Sequence, residues 1–340
     1  MADKMIPTIH IIGQGVIGSL LATSALLQQL PVQQYIRTKP AKHLNHTKQL
    51  NHTKQLLHSD NLSVQWLSGQ TVELPEPYFL DTLSPSNEQL SGLVIIPVKA
   101  YQVANILAQL QGKLAPDATL VLLHNGMGSI EVALRLFPNH TIIAGTTTLA
   151  GFKHHSIIKH TAWGQTQLGV VSEHKQGPEN NLSKLALPSN LAPTPEHISL
   201  INLVIPEVTW HDDILTPLFT KLAVNCVINP LTALHDVRNG KLSSPRLFGL
   251  ITKIVTEVVA VALTQEVLLD NVALFEKVIT VIHDTKDNYS SMHQDIKLGR
   301  KSEIEQINGY VVALGIANGV DVSQNKSLLQ QILAIEKAAY

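Results

Sequence analysis

The sequence predicts an α/β fold in two parts: an N-terminal parallel sheet with crossover helices, then an all-helical C-terminal domain. Three observations predict it. Short apolar runs alternate with helical stretches through the first half, the pattern of parallel strands joined by helices. A glycine-rich turn lies between the first run and the helix that follows it. After Ile214 the pattern is helical nearly to the end. A chain of 340 residues is too long for one small core, so two domains are expected, residues 1–211 and 212–340.

TIHIIGQGVIGSLLATSALLQQL opens with a β-type run from Thr8 to Ile12, continues through the glycine turn, and reads as helix to about Leu30. VQQYIRT reads as the second strand. LVIIPVK (93–99), TLVLLHNG (119–126) and TIIAGTTT (141–148) read as further strands, with helices such as AYQVANILAQL between them. From about Thr146 the pattern changes. HTAWGQTQLGVV reads as an antiparallel hairpin segment, residues 174–196 as a Pro-, Ser- and Asn-rich loop, and INLVIPEVTWHDD as a return to β structure. NHTKQL at 45–50 is repeated identically at 51–56. Two copies are too few for a repeat architecture and read as a local duplication in a surface segment, where extra length adds little closure entropy.

Composition excludes several classes of function. The formal net charge is -1, so no basic excess points to nucleic acid. No apolar run reaches the roughly 18 residues of a membrane span, and the start lacks the features of a signal peptide. A soluble, cytoplasmic protein is expected, with the sequons at Asn45, Asn51 and Asn139 idle. Cys226 is the one cysteine, which rules out an internal disulfide. Sixteen scattered histidines without an HExxH pattern give no metal site.

GQGVIGS places Gly13, Gly15 and Gly18 in GxGxxG spacing, with Gln14, Val16 and Ile17 between them. Following a strand and opening a helix, this is the context of a Rossmann-type dinucleotide site. Gly13 permits the turn, Gly15 lets the backbone approach a pyrophosphate, and Gly18 allows close helix–strand packing. The helix N-terminus offers free N–H groups to the phosphates. After the second strand comes Arg37, where an NAD enzyme usually carries an acid. A guanidinium there can grip a 2′-phosphate, so NADP(H) is the expected cofactor. Lys99 and Gln102 follow the third main strand and Asn125 follows the next, at strand ends where open α/β sheets bind ligands.

KLAVNCVINPLTAL carries Lys221, Asn225 and Asn229 at intervals of four. Residues so spaced differ by roughly 40° around a helix, so the three form one stripe. Burying them without partners would cost on the order of 1–3 kcal/mol each, so the stripe is expected to face a polar cleft. Pro230 removes a backbone donor and is a candidate kink. A second polar cluster, NYSSMHQDIKLGRKSEIEQINGY, offers Asn288, Ser290, Ser291, Asp295, Glu303 and Asn308, with a helix expected from near Ser302.

GQGVIGS, VKAYQ, HNGMG, AGTTT, KLAVNCVINPLTAL, RNGKL, SSMHQDI and SEIEQINGY together resemble the ketopantoate reductase (2-dehydropantoate 2-reductase) family along nearly the whole chain. The resemblance implies NADPH-dependent reduction of 2-dehydropantoate to (R)-pantoate in pantothenate biosynthesis. It implies that Lys221 is the general acid and that Glu303 is an acid contacting substrate or cofactor ribose, able to fix the amine's position or tune its pKa. Substrate binding then falls to Lys221, Asn225, Asn229, Asn239, Asn288, Tyr289, Ser290 and Ser291. Cofactor binding falls to the glycine turn, Arg37, Lys99, Gln102, Asn125, Gly151 and Glu303. His293 departs from the apolar residue expected at its position. The partner is a small 2-keto acid, and a homodimer is open. The rival readings are a relative that reduces another branched 2-keto acid and a non-catalytic NADP-binding redox sensor.

Overall fold

A computed structural model describes residues 6–36, 62–83, 89–171 and 191–339. Arg37, the 45–56 duplication and residues 174–190 of the expected loop lie outside the described residues. Strand β1 (Ile9–Ile12) is fully buried and is followed by α1 (Val16–Leu27), which stops three residues short of the expected end where Gln29 takes a φ of 56°. Then come β2 (Val32–Ile36), the short β3 (Ser63–Gln65), β4 (Thr71–Glu73) and β5 (Tyr78–Phe79), and β6 (Leu93–Ile96) with α2 (Ala100–Leu110). The alternation continues with β7 (Thr119–Leu123), α3 (Ser129–Leu136) and β8 (Thr141–Thr147).

β1, β2, β5, β6, β7 and β8 run parallel in an eight-stranded sheet, whose far edge is β11 (Thr166–Val171) and β12 (Val208–Trp210). β11 joins β8 antiparallel. Alternation along each strand sends residues to opposite faces. Ile9, Ile11, Ile95, Val121 and Ile143 pack in a core with α1, and Ile12, Ile96, Leu120, Leu122 and Ile142 pack in a second core with α2 and α3. That second core runs on without a break into the helical half.

Two expected elements come out differently. HTAWGQTQLGVV is no hairpin: β10 (Ile157–Ala162) pairs antiparallel with β9 (Ala150–His154) and parallel with β3 in a separate four-stranded sheet, while β11 belongs to the large one. Gly164 makes the crossing at φ +62°, so close to Thr148 that a Cβ would stand 2.3 Å from its carbonyl carbon. INLV is helix, not strand, because α4 (Pro195–Val204) begins inside the expected loop. Thr194 caps it by accepting from the His197 N–H, Pro195 suits the first turn, and the buried positions His197, Leu200, Ile201 and Val204 follow helical spacing.

The C-terminal half is all helical: α5 (Leu215–His235), α6 (Pro245–Leu263), α7 (Asn271–Asp284), α8 (Ser291–Lys297), α9 (Asn308–Ala317) and α10 (Ser323–Ala339). α5 is its axis, packed by α6, α7, α8 and α10 and buried on most faces, as a helix apolar nearly all round must be. It continues unbroken through Pro230. The helix expected from Ser302 starts only at Asn308. Residues 302–307 are held in turns by long-range bonds instead, Ser302 N–H to Glu336 (2.7 Å) and Met127 N–H to the Gln306 carbonyl (2.9 Å). Among the described residues no helix is long and apolar enough to cross a membrane.

Candidate active site

The parallel strands start in register, with Ile9, Leu93, Thr119 and Thr141 partners in turn across the sheet. Their carboxyl ends present Gly13, Lys99, Asn125 and Thr147 along one edge, where the helical half docks.

Gly13 takes a φ of +120°, and Val98 lies 2.6 Å from where its Cβ would be. A Cβ on Gly18 would stand 2.3 Å from the Gly13 carbonyl oxygen. Both glycines are therefore demanded by the protein itself. Gly15 differs: it is exposed, and nothing lies within 4 Å of its Cβ position. It also begins α1 with no side-chain cap and no acid in the first turn, so the helix offers unpaired N–H groups to that open space. Space and donors together fit a pyrophosphate. Val16 and Ile17 are half-buried, as is Gln14. Gly151, on β9, packs so tightly on α1 that its Cβ would meet Val16 at 3.0 Å and the Lys159 carbonyl at 2.7 Å. Gln102 lies on α2, its N–H bonded to the Lys99 carbonyl at 2.8 Å, with no bond to the charged groups of the site among the described residues.

Glu303 is the hub of the cleft. Its buried carboxylate accepts from the Ala100 N–H (2.9 Å), from Asn125 Nδ2 (3.3 Å) and from Lys99 Nζ (3.4 Å). Lys99 also donates to Asp295 (2.8 Å), whose other oxygen takes the guanidinium of Arg300 at 3.0 and 3.1 Å. The two carboxylates are 6% and 4% exposed and Lys99 36%. Burial alone would lower the Lys99 pKa, but Glu303 and Asp295 outweigh it and hold the amine above its ordinary value. Asn125 is set by its neighbour: His124 Nδ1–H donates to the Asn125 carbonyl (2.9 Å) while the Ser129 hydroxyl donates to Nε2 (2.6 Å). Burial lowers the His124 pKa, which suits this neutral tautomer.

Lys221 lies across from that hub. Its amine donates to the Thr147 carbonyl at the end of β8 (2.7 Å). Withdrawal from water pushes its pKa down from 10.5 to about 8, against the opposing field of Glu303. Of the two roles expected of Glu303 toward this amine, the structure shows its field raising the amine's pKa; no hydrogen bond or ion pair joins them among the described residues, the carboxylate being spent on Lys99, Asn125 and Ala100.

Asn225 is half-buried and Asn229 buried, and neither carboxamide bonds to protein among the described residues. One turn on, Thr232 donates to the Ser290 hydroxyl (2.7 Å), which also caps α8 through the His293 N–H (3.0 Å). Ser291 opens α8 and is exposed, as are Asn288 and Tyr289. Asn239 ties in through its N–H to the Asn288 carbonyl (2.9 Å) and through Nδ2 to Thr285 (2.9 Å). Asn308 faces elsewhere, fully buried and bonded to the Cys226 carbonyl and Asn325. Sequence reasoning did not find the roles of Arg300, His124, Ser129 or Thr232, and named Asp295 without its partner. For Arg300 the only local hint is a charge five residues after Asp295.

A glycine turn opening an uncapped helix after β1, and a lysine amine withdrawn from water at the carboxyl end of β8 of the same sheet, define a protein of the dinucleotide-binding kind. Residues 9–173 match the family Ketopantoate reductase PanE/ApbA and residues 213–336 match Ketopantoate reductase PanE/ApbA C terminal. The chain is 36% identical over 260 residues to the 2-dehydropantoate 2-reductase of Vibrio cholerae serotype O1, covering 76% of this chain and 81% of that one. It is 31% identical over 326 residues to the 2-dehydropantoate 2-reductase of Escherichia coli O157:H7, covering 95% and 93%. The chain belongs to the ketopantoate reductase family. The fold is shared with D-mandelate dehydrogenase in a ternary structure with NADH and anilino(oxo)acetate (TM-score 0.76, 21% identity, 98% of this chain and 99% of that one). It is also shared with the dimeric ketopantoate reductase of Staphylococcus aureus (TM-score 0.72, 16% identity, 98% and 100%).

Proposed function

We propose that the protein reduces 2-dehydropantoate to (R)-pantoate with NADPH, the reductive step of pantothenate synthesis, with Lys221 as proton donor. The observation that carries this is the Lys221 amine, withdrawn from water and bonded to the Thr147 carbonyl at the end of β8, with a pKa of about 8. The cofactor, when bound, supplies the hydride that adds to the 2-keto carbon. Lys221 polarises the ketone oxygen and gives it the proton that completes the alcohol. Asn225 and Asn229, with carboxamides free of protein partners among the described residues, hold the carboxylate and hydroxyl without adding charge. Asn239, Asn288, Tyr289, Ser290 and Ser291 form the far wall. Gly13, Gln14, Gly15, Val16, Ile17 and Gly18 hold the pyrophosphate, with Lys99, Gln102, Asn125 and Gly151 on the cofactor side. Glu303 keeps Lys99 and Asn125 in place and acts on Lys221 through its field.

Arg37 selects NADP(H) over NAD(H) in this reading, and the protein works as a cytoplasmic homodimer. The test is NADPH and NADH oxidation by purified protein on adding ketopantoate or other branched 2-keto acids. Rapid oxidation with ketopantoate and NADPH is expected. A tenfold preference for another keto acid overturns the substrate, equal use of NADH overturns the Arg37 role, and no turnover with any keto acid leaves a dinucleotide sensor. Light scattering reads the assembly.

A further inference from the structure

The imidazole of His293 is used nowhere in the proposed reaction, yet it is 3% exposed and firmly placed. Its ring lies flat on that of Tyr289, with centroids 4.4 Å apart and planes at 17°. Its Nε2–H donates to Asp236 at 2.6 Å. The Arg238 guanidinium covers the same tyrosine, 4.9 Å from the ring centroid, and donates to the Asp287 carbonyl. Asp236 terminates α5 in the left-handed conformation, φ +49°, and that backbone turn aims its carboxylate at the imidazole.

Arg238, Tyr289 and His293 thus join two segments, and Asp236 clasps them. The segment after α5 is held to the segment before α8 by this group and by the backbone bonds Asn239 N–H to Asn288 carbonyl (2.9 Å) and Gly240 N–H to Lys286 carbonyl (3.1 Å). An apolar residue at 293 could stack on the tyrosine but would leave Asp236 only its 3.5 Å contact with the Lys297 amine. The histidine both stacks and holds Asp236. The clasp fixes Ser290 and Ser291 relative to Asn229, because Ser290 is bonded to Thr232 one turn beyond that asparagine.

We propose that His293 is a positioning residue for the keto acid: by stacking on Tyr289 and donating to Asp236 it sets the gap between the Asn288–Ser291 segment and the asparagine stripe of α5. The proposal rests on the reading of that segment as the substrate wall. Asp236 lies fifteen residues along α5 from Lys221, about 22 Å at the helical rise, so the clasp cannot touch proton transfer. Its signature is therefore in substrate affinity and not in turnover.

The test compares full-length wild-type protein with His293→Leu, which keeps the stacked bulk, and His293→Gln, which keeps a donor toward Asp236. His293→Leu is expected to raise KM for ketopantoate about five- to tenfold, the scale of one ordinary hydrogen bond since Asp236 is exposed, with kcat within about twofold and NADPH affinity unchanged. His293→Gln is expected to recover most of the loss. An unchanged KM in His293→Leu overturns the proposal, and so does an equal fall in NADPH affinity, which would mark general loosening. Absence of turnover in the wild-type protein would sink the substrate assignment instead. Hydrogen exchange without substrate then decides the clasp itself: faster exchange across residues 286–293 in His293→Leu upholds it, and unchanged protection overturns it.

Discussion

Replacing Lys221 by methionine keeps the length of the side chain and removes the amine, and the structure sets what should follow. Loss of a general acid lowers turnover by about 10²–10⁴-fold. The wild-type rate should also carry the amine's titration. The donor must start each turnover protonated, and its pKa is pushed down to about 8 by burial. Reduction should therefore be constant at lower pH and fall about tenfold per pH unit above that value, and the falling limb should vanish in Lys221→Met. Glu303 opposes the drop, so in Glu303→Gln the limb should move to lower pH. A unit charge acting without direct contact through a partly wet interior is worth on the order of 1–2 kcal/mol, about one pH unit. Stability should respond in the opposite sense to activity. The folded pKa lies below the ordinary 10.5, so the folded chain binds fewer protons between the two values. The burden on folding, ~3 kcal/mol, is full below pH 8 and is relieved as pH rises toward 10.5. Lys221→Met removes that burden at the cost of one hydrogen bond to Thr147, so its Tm at pH 7 should hold or rise while turnover collapses. Steady-state NADPH oxidation across the pH range and thermal melts read both. Turnover within about threefold of wild type, or a melt lowered by more than about 5 °C, would refute the assignment of a donor withdrawn from water.

Lys99→Met removes the ammonium shared by the buried carboxylates of Asp295 and Glu303, leaving Arg300 on the first and the Ala100 N–H and Asn125 amide on the second. With the exposure of Lys99 allowed for, it should cost about 2 kcal/mol in urea unfolding at pH 7. Gly15→Ala should melt like wild type but bind NADPH at least about tenfold more weakly, because its Cβ fills only the space proposed for phosphate. Gly18→Ala should lose stability outright, since its Cβ would overlap the Gly13 carbonyl; equal melts for the two would be inconsistent with this turn. Thr232→Val removes the bond to Ser290, and about 1 kcal/mol of stability together with a raised KM for the keto acid is expected.

What the sequence made legible was what local pattern controls. Alternation placed β1, β6, β7 and β8, glycine spacing placed the turn, and the interval of four placed Lys221, Asn225 and Asn229 on one helix. The failures came where distant contacts decide. INLV has strand composition, but the Thr194–Pro195 start commits it to helix. Residues 302–307 have helical composition, yet they are claimed by Glu336 and Met127 from elsewhere in the chain.

The site shows the same limit in its charges. Lys99 and Lys221 both feel Glu303, and neither residue's neighbours in the chain forecast which would be held charged. Lys99 has Asp295 as a second carboxylate, brought from nearly two hundred positions away, and its pKa rises. Lys221 has a neutral carbonyl as its partner and only the distant field of Glu303, and its pKa falls. A lysine that anchors a ligand gains from abundant carboxylates, whereas one that must surrender a proton each cycle has to be kept short of them. The division of labour between the two amines is therefore set by where Asp295 points, a fact of tertiary structure that spacing along the chain does not contain.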